Sequence, residues 1–145
     1  MVIDETMKAA RRFSKNRTGS LIVIEREVRL NNWIKKGVIL DAEITAATLE
    51  SIFTVPGPLH DGAVIISQEK IAAAAVILPI TDREELGYVL GTRHRAAIGI
   101  SEQSDAVVIV VFINSLDDWI GSFSKQFVNF ILLDPVIILI IFNVI

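Results

Sequence analysis

Two short stretches carry the residue types that could do chemistry. The first is Leu59-His60-Asp61-Gly62-Ala63, between a Pro56-Gly57-Pro58 turn and the apolar run Val64-Ile65-Ile66. An Asp followed by Gly at a strand entrance puts a carboxylate beside a backbone that lacks a Cβ, so a ligand can approach closely. Asp61 could hold a divalent metal or polarise a hydroxyl, with His60 as a neighbouring nitrogen ligand. A turn aspartate entering a strand is the plain alternative.

The second stretch is Gly91-Thr92-Arg93-His94-Arg95. Thr92 is a natural N-cap, which would place Arg93, His94 and Arg95 in the first turn of the next helix. Cations there oppose the helix dipole by about 0.3–1 kcal/mol each. An anion at the helix N-terminus removes the conflict, because backbone N–H groups, the Thr hydroxyl and two guanidinium forks would converge on a phosphate. The structural alternative is an Arg pair bridged to Asp82, Glu84 and Glu85. Together the two stretches describe nucleotidyl transfer, with Asp61 at the hydroxyl and Arg93 and Arg95 neutralising a phosphoryl group. Neither stretch is a P-loop or a dinucleotide-binding glycine fingerprint.

The surrounding elements alternate. A helix is expected over residues 3–15, with Ile3, Met7, Ala10 and Phe13 on one stripe, acids in its first turn and bases in its last. Thr18-Gly19-Ser20 breaks it, and Leu21 to Ile24 form a strand buried on both faces. Residues 25–36 read as irregular, and Val38, Ile39 and Leu40 as a short apolar piece. A helix capped by Asp41 should run to about Phe53. Strands follow at residues 64–67 and 71–78, the second holding Ala72 to Ala75. Those alanines suit either tight helix packing or a bound planar ligand. A short helix from Ala96 ends near Glu102, and residues 106–111 form another strand. This alternation indicates an α/β layer fold in a single globular domain, with an apolar tail at residues 127–145.

Composition narrows the class. The chain has 145 residues, 52% of them apolar and 21% charged, a net charge of −3 and no cysteine. That excludes disulfides and thiolate metal sites, and no nucleic-acid partner is expected. No signal peptide is visible. The tail is just long enough for a membrane span, but Asp134-Pro135 lies within it. A half-buried or interfacial segment and a rearranged or truncated reading frame are the alternatives.

The pair of motifs, with Arg17-Thr18-Gly19-Ser20-Leu21-Ile22-Val23-Ile24-Glu25 and residues 71–79, resembles the diadenylate cyclase domain, and in particular its membrane-associated bacterial members. The resemblance covers roughly residues 2–111, leaving 112–145 as a divergent segment. It implies a central mixed sheet flanked by helices, and condensation of two ATP into cyclic di-AMP and two pyrophosphates with a divalent metal, Mg²⁺ or Mn²⁺. It implies two subunits face to face, at the cytoplasmic face of the membrane or in the cytoplasm. Carried across, Asp61 would activate the 3′-hydroxyl and hold the metal with His60. Gly62 and Ala63 would lie against the nucleotide, Leu78 would line the adenine site, and Thr92, Arg93, His94 and Arg95 would bind phosphates. After Val111 the chain departs, with Phe112-Ile113-Asn114 where the family has a Ser-Glu-Glu type segment. A nucleotide-binding relative without turnover, or a membrane-tethered interaction protein, are the competing expectations.

Overall fold

The computed structural model describes residues 2–82, 92–111 and 138–142. Helix α1 (Val2–Lys15) leads into β1 (Ser20–Ile24), a short α2 (Asn31–Ile34) and β2 (Val38–Glu43). Then come α3 (Ala46–Phe53), the hairpin β3 (Ala63–Ser67) and β4 (Lys70–Val76), α4 (Thr92–Gln103), β5 (Val107–Val111) and β6 (Ile138–Phe142). The six strands lie in the order β2-β4-β3-β1-β5-β6. Only β1 and β3 pair in parallel, so the sheet is mixed as expected.

Both faces are covered, and the β-alternation sorts side chains between them. Leu21, Val23, Ala63, Ile65, Val108 and Val110 point to the face under α4. Ile22, Val64, Ile66, Ile109 and Val111 point to the face under α1 and α3. Near-continuous apolar runs are what a sheet covered on both sides requires. Each such Leu, Ile or Val side chain contributes about 1.5–3 kcal/mol on full burial. Phe13 of α1 meets Phe53 of α3 edge-on, with ring centroids 5.3 Å apart.

Several sequence expectations need correcting. The buried side of α1 is Thr6, Ala9, Ala10, Phe13 and Ser14, whereas Ile3 is 55% exposed. The stripe is therefore rotated from the one expected. Asp41 does not cap a helix. It lies within β2 at φ 49°, where the register with β4 shifts, a conformation Asp tolerates better than most residues. The cap of α3 is Thr45, whose hydroxyl accepts from the Thr48 N–H at 3.0 Å, and Glu5 of α1 accepts from the Ala46 N–H at 2.7 Å. Residues 25–36 contain α2, four residues too short to show a period. The apolar tail supplies an edge strand, since Ile138 to Phe142 pair antiparallel with β5. Expectations for Glu84, Glu85, Gly91, Phe112-Ile113-Asn114 and the rest of the tail fall outside the described residues. Among the described residues no helix is long and apolar enough to cross a membrane.

Candidate functional site

The sheet brings the two motifs to one rim. β1 and β3 are parallel with Ile22 opposite Val64, and Gly19 and Asp61 each lie three residues before that pair. Gly19 directly precedes β1 and Asp61 lies two residues before β3, so both sit at the edge where these parallel neighbours begin. β4 ends there too, because Ala63 faces Val76, and so does β5, because Ser20 faces Val111.

Arg93 closes the link. A Cβ built on Gly19 would lie 2.8 Å from Arg93 Nη1 and 3.0 Å from its Cζ. The guanidinium therefore rests on the bare Cα of Gly19, and any side chain there would displace it. Helix α4 is held in place by a still closer contact, since a Cβ on Gly99 would lie 1.9 Å from the Pro79 carbonyl oxygen. The Thr81 N–H also donates to the Arg95 carbonyl at 3.1 Å.

The Asp61 side needs its glycine for a second reason. Gly62 has φ +105°, and a Cβ there would meet the Val76 carbonyl oxygen at 2.8 Å. Gly37 approaches the same strand, 2.7 Å from the Ala74 carbonyl oxygen by the same measure. Small residues along β4 thus admit close backbone neighbours, and Ala73 and Ala74 are fully buried. Asp61 itself is exposed, and the described residues place no hydrogen bond or ion pair on it. His60 Nδ1 bonds the Gly57 carbonyl. A carbonyl only accepts, so Nδ1 carries a proton and Nε2 is the ring nitrogen that remains for a ligand.

The other named residues separate. Thr92 is exposed and is the first residue of α4 rather than a residue before it. Arg93 and Arg95 are half-buried. His94 is 4% exposed, and burial, aided by the Arg93 charge, pushes its pKa down to about 4. It is neutral near pH 7 and turned inward, so the expectation that it adds a cation for phosphate does not hold in this structure. The physical reason is helical spacing: three successive residues in a helical turn cannot all face one ligand. Ala63 is fully buried and Leu78 is 6% exposed, both in the core cluster under α4. Their side chains back the rim from beneath.

Sequence reading missed Gly19 as a site residue, taking Thr18-Gly19-Ser20 for a helix breaker. The signal was present. A small glycine-containing tripeptide directly before a buried strand also marks Asp61-Gly62-Ala63.

For a metal, Asp61 and His60 offer two protein donors at most, and the described residues contain no group of three or more acidic or histidine side chains that could hold an ion. This fits a hard cation that takes its remaining ligands from substrate phosphates and water.

Comparison with known proteins decides the family. The model of the DAC family, described as the DisA bacterial checkpoint controller nucleotide-binding domain, matches residues 7–115. The chain belongs to the DAC family. It is 50% identical over 103 residues to a diadenylate cyclase CdaS of Bacillus thuringiensis, covering 71% of this chain and 51% of that protein. It is 44% identical over 131 residues to the cyclic di-AMP synthase CdaS of Bacillus subtilis, covering 90% and 61%. The chain thus spans about half to three fifths of the length of these two relatives. The crystal structure of DacA from Staphylococcus aureus superposes with a TM-score of 0.74 at 46% identity, covering 77% of this chain and 74% of that one. DAC membership accounts for the mixed sheet.

Proposed function

We propose that this DAC-family chain condenses two ATP molecules into cyclic di-AMP, with release of two pyrophosphates. The observation that carries the reading is the contact of Arg93 with Gly19, at the sheet edge where the Asp61 turn also lies, so that a carboxylate and a guanidinium share one rim. Asp61 takes the proton of a ribose 3′-hydroxyl. The freed oxygen bonds to the α-phosphorus of the second ATP, and the bond from that phosphorus to the pyrophosphate oxygen breaks. Repetition in the opposite sense closes the ring. Arg93 and Arg95 balance charge on the phosphates, where fixed donors act without reorganising. Gly62 lets the Asp61 turn pack directly on the β4 backbone. A divalent cation, Mg²⁺ or Mn²⁺, held by Asp61 and His60 would supply further charge neutralisation at the phosphates.

One chain offers one Asp61, and the product joins two nucleotides symmetrically. Two copies therefore face each other across a two-fold axis during turnover. The departure at Phe112-Ile113-Asn114 favours one second reading, a nucleotide-binding relative without turnover. Incubation with ATP and Mg²⁺ or Mn²⁺, with cyclic di-AMP detected by mass spectrometry, separates the two. Product whose rate per mole of enzyme rises with enzyme concentration supports the cyclase and the facing pair. ATP binding without product supports the second reading. The tail and any membrane face are tested separately, by vesicle co-sedimentation of the full chain against one ending at Val111.

A further inference from the structure

A cleft of about 470 Å³ opens beside Gly19, lined by Arg17, Thr18, Glu50, Val55 and Arg93 among others. Its charge is unbalanced. Glu50 is already paired with Arg12 at 2.7 Å, while neither Arg17 nor Arg93 meets a carboxylate among the described residues. Two guanidinium groups thus face one cavity whose only acid among the described lining residues is taken, and such forks bind phosphate oxygens with defined geometry. Arg17 is also held oddly for an arginine. It occupies the left-handed position after α1, at φ 54°. Its N–H donates to the Ser14 carbonyl at 3.2 Å, and the Thr18 N–H donates to the Phe13 carbonyl at 2.8 Å. That closing motif ordinarily takes glycine or asparagine, so helix termination does not explain the guanidinium.

We propose that Arg17 and Arg93 form a subsite for the pyrophosphate portion of the nucleotide, covering the β- and γ-phosphates of bound ATP and the pyrophosphate that leaves. The inference rests on the cyclase reading and extends it. Arg93 stands at the junction, reaching the reacting rim on one side and the cleft on the other. Arg17, two residues before Gly19, adds a second guanidinium to the lining of that cleft. Arg17 is outside both signature motifs, and its role is to bind and orient the leaving group.

The test is calorimetric titration of the full chain with inorganic pyrophosphate and, separately, with AMP. Arg17→Gly is the informative variant, because glycine accepts the φ of this position and should leave the melting temperature unchanged or higher. Arg17→Gly is expected to weaken pyrophosphate binding at least tenfold and to raise the KM for ATP, with AMP affinity unchanged. Arg17→Lys should recover part of the loss. Wild-type protein that does not bind pyrophosphate, or Arg17→Gly that binds it as tightly as wild type, overturns the subsite. These outcomes separate from those for the parent reading. Absence of cyclic di-AMP together with Arg17-dependent pyrophosphate binding removes the cyclase and leaves the subsite. Normal cyclase activity with an unchanged KM in Arg17→Gly removes the subsite and leaves the cyclase.

Discussion

The two ends of β1 and β5 treat charge in opposite ways. Where β1 ends, the Glu25 carboxylate accepts from the Leu30 N–H and the Ser67 hydroxyl, each at 2.8 Å. It also meets Arg29 at 3.0 Å, and its side chain is only 2% exposed. Beside it, just before β5, Asp105 accepts from the Glu27 and Val28 N–H groups at 3.1 and 3.0 Å. Those bonds, Val28 first, hold its carboxyl below the usual aspartate range. These two acids fasten the loop that carries α2. At the opposite rim, Asp61, Arg17 and Arg93 have no ionic partner among the described residues. Charges that build the fold are satisfied from within it. Those kept for a ligand are held by glycines and backbone, with their polar atoms left open.

Exchanging a charge at each end should separate the two roles. Asp61→Asn should lower cyclic di-AMP formation by about 10²–10⁴-fold, the range for loss of a positioned acid–base group. Its melting temperature should match wild type, because no hydrogen bond within the described residues depends on Asp61. Product formed at the wild-type rate by folded Asp61→Asn would remove the residue from the mechanism. Glu25→Ala should do the reverse. It strips acceptors from a backbone N–H and a hydroxyl, and urea denaturation should show a loss of about 2–4 kcal/mol. Activity per folded molecule should hold. A loss under about 0.5 kcal/mol, the size of an ordinary surface substitution, would mean that the loop is fastened by something else.

His94 gives a comparison that depends on pH. Its pKa falls from an ordinary 6.5 to about 4 on folding. Between those values the unfolded chain binds a proton that the folded chain does not, so stability rises with pH across that window. The full contribution is present above pH 6.5 and is lost as pH falls toward 4, roughly 3 kcal/mol at the limit. Asp105 adds its own loss only below its ordinary 3.8. Urea midpoints measured at pH 7 and pH 4.5 should therefore diverge in wild type, and much less in His94→Leu. Equal divergence in both would clear His94 of the effect.

Legibility in the sequence followed physical range. β1, β3 and β5 were readable because strands buried on both faces are unbroken apolar runs. Asp61 and Arg93 stood out as candidates because local rules, a glycine after an acid and cations at a helix start, are visible over five residues. Asp41 misled because a left-handed aspartate inside a bulged strand has the same neighbours as an N-cap. His94 misled because motif membership says nothing about which way a helical side chain turns. Gly19 acquires its meaning only from Arg93, more than seventy positions away. Pairing across the sheet, which brings the two motifs to one edge, is a tertiary fact that no window of sequence contains.

The smallest expected effect is the sharpest test of the rim. Arg93 is a cation in the first turn of α4, where the dipole disfavours it by about 0.3–1 kcal/mol. Against that, its guanidinium lies on Gly19 and loses some packing when truncated. The two contributions oppose each other, so Arg93→Ala should change unfolding free energy by no more than about 0.5 kcal/mol. Its ATP affinity should nevertheless fall by about tenfold or more, because a charged hydrogen bond contributes about 1.5–3 kcal/mol. Gly19→Ala reaches the same contact from the other side. Its methyl group would displace the guanidinium without removing it, giving a partial loss of affinity in the same direction. The double variant should then bind no worse than Arg93→Ala alone, since the methyl group has nothing left to displace. A melting temperature that drops clearly in ligand-free Arg93→Ala, with ATP affinity intact, would place Arg93 among the charges that build the fold.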